Sequence, residues 1–210
     1  MKNYLLMILK AWRAFQFVML ATFSLLLFSC STENAETMED PTVYDLTNTN
    51  SKERSGNVAP GEDPIALIAI NGGYSELVGA LAFVDGELNA GLVDLFLNGK
   101  DQYTVFAPTN EAFYELYETL KVGGIEELPA ELVLNVLLYH VTEGRRGSNS
   151  VVPPNQPRSI ETLLGASFKV DKNATIMAIG NTANFEKIDI SASNGIIHVI
   201  DSVLLPIELD

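Results

Sequence analysis

Residues 103–113 read Tyr-Thr-Val-Phe-Ala-Pro-Thr-Asn-Glu-Ala-Phe. The first four are aromatic or β-branched, the composition of a strand. Pro108 removes a donor and ends the ladder. Thr109 then suits an N-cap, because its hydroxyl accepts from an otherwise orphan N–H. Glu111 falls in the first turn, where negative charge suits the helix dipole. Phe113, Leu116, Tyr117 and Leu120 recur at the 3.6-residue period. The stretch predicts a strand running straight into an amphipathic helix.

Residues 194–206 read Asn-Gly-Ile-Ile-His-Val-Ile-Asp-Ser-Val-Leu-Leu-Pro. Asn194-Gly195 tolerates positive φ and predicts a tight hairpin turn. The flanking segments, 187–192 and 196–205, become its paired strands. The two-residue period puts Ile196, His198 and Ile200 on one face and Ile197, Val199 and Asp201 on the other. Between these stretches lies Leu137-Leu-Tyr-His-Val141, an aliphatic run around Tyr139 and His140.

These segments resemble the signatures of the fasciclin domain family. Thr104 to Phe113 resembles the first, Asn194 to Pro206 the second, and Tyr139-His140 the Tyr-His motif between them. The three fall in the family's order and at about its spacing, over roughly residues 63–207. The resemblance implies an α+β fold, a fasciclin-like β-sandwich or wedge with helices packed along one edge. It also implies that His198 or Asp201 bonds near Thr109 and Asn110. In adhesive members the Tyr-His motif with its Leu, Ile or Val flank contributes to receptor binding. Here Leu137, Leu138 and Val141 supply that flank.

The residues outside these segments agree with helices first and strands after, an α+β order. Residues 75–83 carry a helical stripe through Leu77, Val78, Leu81 and Ala82, which Gly86 interrupts. Leu88, Leu92, Val93, Leu95 and Phe96 predict a second short helix, closed by Asn98-Gly99. Pro129 opens a third, apolar on most sides and so buried. After Gly144, strands are predicted at 159–164, 167–171, 174–180 and 187–192.

The 210-residue chain carries a formal charge of −14. Residues 1–29 contain Lys2, Lys10 and Arg13 and no acid, so the remainder holds 10 basic and 27 acidic groups, a formal −17. So acidic a surface argues against nucleic acid as a partner. The basic start is followed by an apolar run from Ala14 to Phe28, the pattern of a secretory signal peptide over residues 1–29. It ends in Leu27-Phe28-Ser29-Cys30, which resembles a bacterial lipobox. Lipidation of Cys30, the sole cysteine, would anchor the chain to a membrane, since each buried CH₂ adds about 0.8 kcal/mol. The tether, residues 30–62, is polar and acidic with almost no apolar pattern. The domain proper spans residues 63–210.

Chemistry-bearing residues are few. Two histidines, His140 and His198, cannot make a histidine-rich zinc site. There is no phosphate loop and no nucleophile elbow, and Asp171 and Asp189 read as scattered strand-edge acids. No cofactor, metal or catalytic residue is expected. Tyr139 and His140 read either as core or as part of a binding segment with Leu138 and Val141. Arg145-Arg146, between Gly144 and Gly147, is the one basic spot in a loop, suited to an anionic glycan or an acidic partner. The sequence thus predicts a non-enzymatic, lipid-anchored module of the bacterial cell envelope, at the outer membrane on its surface-exposed or periplasmic face, that binds polysaccharide or protein. The alternative is an accessory component of a polysaccharide-handling or envelope assembly.

Overall fold

The computed structural model describes residues 59–208. The signal peptide, Cys30 and nearly all of the acidic tether lie outside them. Three helices come first: α1 (Ile65–Asn71), α2 (Ser75–Leu88) and α3 (Leu92–Asn98). Then follow β1 (Tyr103–Pro108), α4 (Asn110–Leu120), a 3₁₀ turn (Ile125–Glu127), α5 (Ala130–Tyr139), β2 (Val141–Glu143) and the short α6 (Ser148–Val151). Strands β3 (Arg158–Glu161), β4 (Ser167–Val170), β5 (Thr175–Met177), β6 (Thr182–Ala192) and β7 (Gly195–Ile200) complete the order. The architecture is α+β, with helices preceding most of the strands.

The strand-to-helix reading of residues 103–113 holds in detail. The Thr109 hydroxyl accepts from the Ala112 N–H at 3.2 Å, which caps α4. The helix buries Phe113 and Tyr117 and ends at Lys121, whose φ of 59° is left-handed. Two other expectations need correction. Gly86 does not interrupt a helix: α2 runs through it to Leu88 and stops at left-handed Asn89. Leu88 therefore ends α2 instead of opening α3. Helix α1, Ile-Ala-Leu-Ile-Ala-Ile-Asn, lies outside the helices read from sequence. With no polar face and no capping side chain, it lacks the signals that mark a helix.

The seven strands lie in the order β2-β1-β7-β6-β5-β4-β3. The β1–β7 pair is parallel, in register from Tyr103 opposite Gly195 to Pro108 opposite Ile200. The other pairs are antiparallel. Two bulges bend β6 between Phe185 and Ile190, and Asp189 sits there at φ 59°. Bulges sharpen local twist, and the sheet curls until its two ends meet. The Leu163 N–H donates to the Val141 carbonyl at 2.8 Å, and the Thr142 hydroxyl donates to the Glu161 carbonyl at 2.7 Å. The result is a nearly closed, barrel-like wedge.

Closure divides the core. Inside the sheet, Phe106, Tyr139, Ile160, Phe168, Ile176, Ile200 and Leu204 pack together. Phe106 meets Phe168 edge-on at 5.0 Å between centroids, a geometry that adds about 0.5–1.5 kcal/mol to simple burial. On the outer face of β1 and β7, Val105, Ala107 and Ile197 pack against Leu77, Val84, Phe96, Phe113 and Leu137 from the helices. The two-residue period read for β7 thus separates Ile200 from Ile197 as expected. Both faces of β7 are covered, so every residue from Gly195 to Ile200 is buried.

The hairpin forms, but its chemistry differs from the expectation. Ala192 pairs with Gly195, so Ser193 and Asn194 make the turn, and neither Asn194 nor Gly195 has positive φ. Glycine is required at 195 for another reason. A Cβ there would strike the Tyr103 carbonyl and the Ile65 side chain. Asn194 is buried. Its Oδ1 accepts from the Ile65 N–H at 2.8 Å and its Nδ2 donates to the Phe96 carbonyl at 3.0 Å.

Candidate functional site

The loop from α5 to α6 gathers most residues singled out from the sequence. Helix α5 ends at Tyr139, and His140 is its C-cap. Tyr139 is fully buried and donates its hydroxyl to the Ser167 carbonyl at 3.2 Å. His140 is buried as well, between two backbone groups. Its Nδ1 lies 2.7 Å from the Val136 carbonyl, and its Nε2 accepts from the Leu204 N–H at 2.8 Å. That pairing fixes a neutral imidazole with the proton on Nδ1. Burial holds its pKa down to about 4, against a partly offsetting bond to Val136. Leu138 is half-buried in the helix–sheet core, and Val141 is buried on β2. The Tyr-His segment is therefore core in this fold.

His198 takes the opposite tautomer. Its Nδ1 accepts from the Asp189 N–H at 3.2 Å, and its Nε2 faces the Arg146 carbonyl at 2.9 Å. Burial lowers its pKa too. The expectation that His198 or Asp201 bonds near Thr109 and Asn110 is corrected here. Asp201 instead accepts from the backbone and side-chain nitrogens of Asn184, at 2.7 and 3.0 Å. The two signature segments are joined by backbone: the Thr109 N–H donates to the Ile200 carbonyl at 3.1 Å. Asn110 looks the other way. It accepts from the Glu76 N–H at 3.1 Å and donates to the Gly73 carbonyl at 2.9 Å, tying α4 to α2.

Ser148, Asp189 and His198 come together, which no spacing in the sequence announces. They do not form a catalytic triad. The Ser148 hydroxyl donates to the Asp189 carboxylate at 2.5 Å, and its N–H donates to the same group at 2.7 Å. Asp189 caps α6 and offers His198 only its backbone. With Nε2 on a carbonyl, His198 cannot serve as a base for the hydroxyl, which a triad needs. Among the described residues, no group of three His, Cys, Asp or Glu side chains is placed to hold a metal ion.

The two arginines part company. The Arg145 guanidinium donates to the Ala192 carbonyl at 2.8 Å, the Gly195 carbonyl at 2.5 Å, the Ala59 carbonyl at 2.9 Å and the Ser191 hydroxyl. It clamps the β6–β7 hairpin to the entry of the domain. Its reading as a ligand-facing cation is corrected on that ground. Arg146 is held more loosely: its N–H donates to the Thr104 hydroxyl at 2.8 Å, Thr104 donates in turn to the Gly144 carbonyl at 2.7 Å, and the Arg146 Nε donates to the exposed Glu143 carbonyl at 3.1 Å. The Arg146 side chain, with Thr142, Glu143, Glu161, Thr162, Leu163 and Gly165, lines an open groove of about 320 Å³. This groove follows the seam where the two ends of the sheet meet. Glu143, Glu161 and Thr162 could be placed in it only once the closure of the sheet was known.

A fasciclin domain model matches residues 72–206, and the chain belongs to that family. Fasciclin domains are adhesion-type, non-catalytic modules at the level of the family. Immunogenic protein MPB70 of Mycobacterium bovis is 38% identical over 149 residues, covering 69% of this chain and 70% of its own length. Protein sll1483 of Synechocystis sp. is 32% identical over 202 residues, 93% of this chain and 97% of its own. Cell surface glycolipoprotein MPB83 of Mycobacterium bovis is 35% identical over 157 residues, 72% of this chain and 64% of its own. A solved FAS1 domain pair from the insect cell adhesion molecule fasciclin I aligns with a TM-score of 0.46 at 19% identity. That alignment covers 61% of this chain and 45% of the pair.

Proposed function

We propose that this chain is a lipid-anchored extracytoplasmic binding module. It attaches to a polysaccharide or protein at the cell surface through the groove beside Arg146. One observation carries the reading: around the loop after α5, Tyr139, His140 and Arg145 are bound into the fold, and the open groove is left to Arg146, Glu143 and Glu161. The groove mixes a guanidinium donor with two carboxylate acceptors, which suits a hydroxyl-rich or mixed-charge ligand better than a polyanion. Both histidines spend their ring nitrogens on backbone groups inside the fold, which supports a binding role for this surface. The anchor is acylated Cys30, and the polar tether holds the domain away from the membrane. The name of the MPB83 relative, a cell surface glycolipoprotein, supports the envelope location.

The test uses whole cells. Cys30→Ala is expected to move the protein from the membrane to the soluble fraction; unchanged membrane retention would sink the anchor. Protease shaving of intact cells should remove the domain. Protection until the outer membrane is broken would place it in the periplasm and favour the envelope-assembly role. Arg146→Ser should weaken binding in a panel of extracellular polysaccharides and matrix proteins while leaving the melting temperature unchanged. Arg145→Ser cannot serve this purpose, because it removes a structural clamp.

A further inference from the structure

A second surface lies away from the Arg146 groove. Helices α4 and α5, the 3₁₀ turn and the segment after β7 enclose a cleft lined wholly by apolar side chains. Leu116, Leu120, Leu128, Leu132, Val136 and Ile207 are among them. The first five are half-buried, and Ile207 is 48% exposed. These side chains leave a small apolar depression open to solvent.

The size of the cleft decides what kind of ligand fits. It encloses about 60 Å³, rising to about 540 Å³ only when its open mouth is counted. Sites that engulf a small molecule span roughly 300–1,000 Å³. This one is too shallow for that and suits the projecting side chains of a docked helix, which uses anchors at i, i+3, i+4 and i+7.

The charge around it decides the partner's sign. From residue 110 to residue 139 there are six glutamates and one basic residue, Lys121. All six, Glu111, Glu115, Glu118, Glu126, Glu127 and Glu131, are exposed. Four of them neighbour lining residues in sequence: Glu115 precedes Leu116, Glu126 and Glu127 separate Ile125 from Leu128, and Glu131 precedes Leu132. An apolar floor inside a carboxylate rim complements an apolar stripe flanked by cations, and it repels anionic lipid. We infer that this cleft docks an amphipathic helical segment of another protein, with aliphatic anchors and Lys or Arg flanks.

The experiment presents the full chain in solution with two fluorescein-labelled model helices of about four turns. One is a Leu/Lys amphipathic peptide; the other is its Leu/Glu counterpart with the same apolar pattern. The Leu/Lys peptide should raise anisotropy, and the Leu/Glu peptide should bind at least tenfold more weakly. Reversing the rim with Glu126→Lys and Glu127→Lys, both exposed, should lower Leu/Lys affinity at least tenfold and narrow the gap between the peptides. Leu132→Asp should abolish binding. Equal binding of the two peptides, or unchanged binding by the rim variant, overturns the inference. A concentration-dependent dimer that Leu132→Asp disperses, with no peptide bound, would assign the cleft to a second copy and overturn it as well. So would binding to phosphatidylcholine vesicles that Leu132→Asp removes, which would assign it to a lipid surface.

Discussion

Asn194 joins three elements with one side chain. It accepts from the first N–H of α1 and donates to a carbonyl in α3, while its backbone turns the β6–β7 hairpin. Truncation would leave a buried donor and a buried acceptor unpaired. Asn194→Ala should therefore cost about 2–4 kcal/mol, a penalty of about 1–3 kcal/mol for each orphaned group after partial relaxation. Asn194→Asp keeps the acceptor for Ile65 but sets a carboxylate against the Phe96 carbonyl, so it should not rescue stability. Urea denaturation at pH 7 reads both variants; an aspartate variant as stable as the parent would refute the donor role. His140 makes a pH-dependent prediction. Its folded pKa of about 4 lies below the unfolded value near 6.5. The unfolded state therefore binds the proton first, and stability falls as pH drops from about 6.5 to about 4. The total loss is about 3 kcal/mol, with no further contribution from this group at lower pH. His140→Gln can still donate to Val136 and accept from Leu204 but does not titrate. Unfolding free energies between pH 4 and 7 should show a shallower slope for that variant. Identical slopes would remove His140 as the cause.

Among the elements, two glycines test opposite demands. In α2, Gly86 is exposed and helical, and a Cβ there would meet nothing within 4 Å. Gly86→Ala should stabilise the domain by about 0.5–1 kcal/mol, because alanine loses less backbone entropy on folding. Gly195 opens β7 directly against β1, and alanine there would collide with the Tyr103 carbonyl. Gly195→Ala should cost about 1–3 kcal/mol, as overpacking does. Thermal and urea melts of the two single variants should move in opposite directions, and a destabilised Gly86→Ala would mean that α2 is under strain. These residues also show what the sequence could reveal. The β1–α4 junction was legible because its strand composition, Pro108, the Thr109 cap and the helical period are local and agree. The alternation along β7 was legible for the same reason, whereas Asn194-Gly195 marked the hairpin without taking the positive φ for which the pair was read. The parallel β1–β7 pairing was not legible, because it joins segments about ninety residues apart with no local mark. Helix α1 carries no polar face. The clamp made by Arg145 was invisible because an arginine between glycines looks solvated until the hairpin carbonyls arrive beside it. For the same reason Asp189 looked like a strand-edge acid, although it caps α6.

Across the whole domain, charge is divided unevenly. Residues 59–139, chiefly helical, hold 2 basic and 13 acidic side chains, a net −11. Residues 140–208, which hold six of the seven strands, carry 6 and 7, a net −1. Repulsion among the helical carboxylates opposes the compact state. Salt screens it, since the Debye length falls from about 30 Å at 0.01 M to about 10 Å at 0.1 M. The melting temperature should therefore rise with NaCl. A gain of about 1 kcal/mol would appear as about 2–4 °C for a domain of this size. The origin of the effect can be located by reversing charge in each half. Glu115→Lys with Glu118→Lys, on the exposed face of α4, should raise stability at low salt and shrink the salt-dependent gain. Glu186→Lys, exposed on β6 where the balance is near neutral, should leave the gain as it was. If both changes alter the salt response equally, the repulsion is spread over the molecule. If salt lowers the melting temperature of the parent chain, attractive pairs outweigh the repulsion. The first, expected outcome bears directly on the acidic rim of the apolar cleft, because Glu115, one of the reversed pair, is among the glutamates beside the cleft lining that would recognise a basic partner. A ligand that neutralised them would then stabilise the domain by more than its apolar contacts alone.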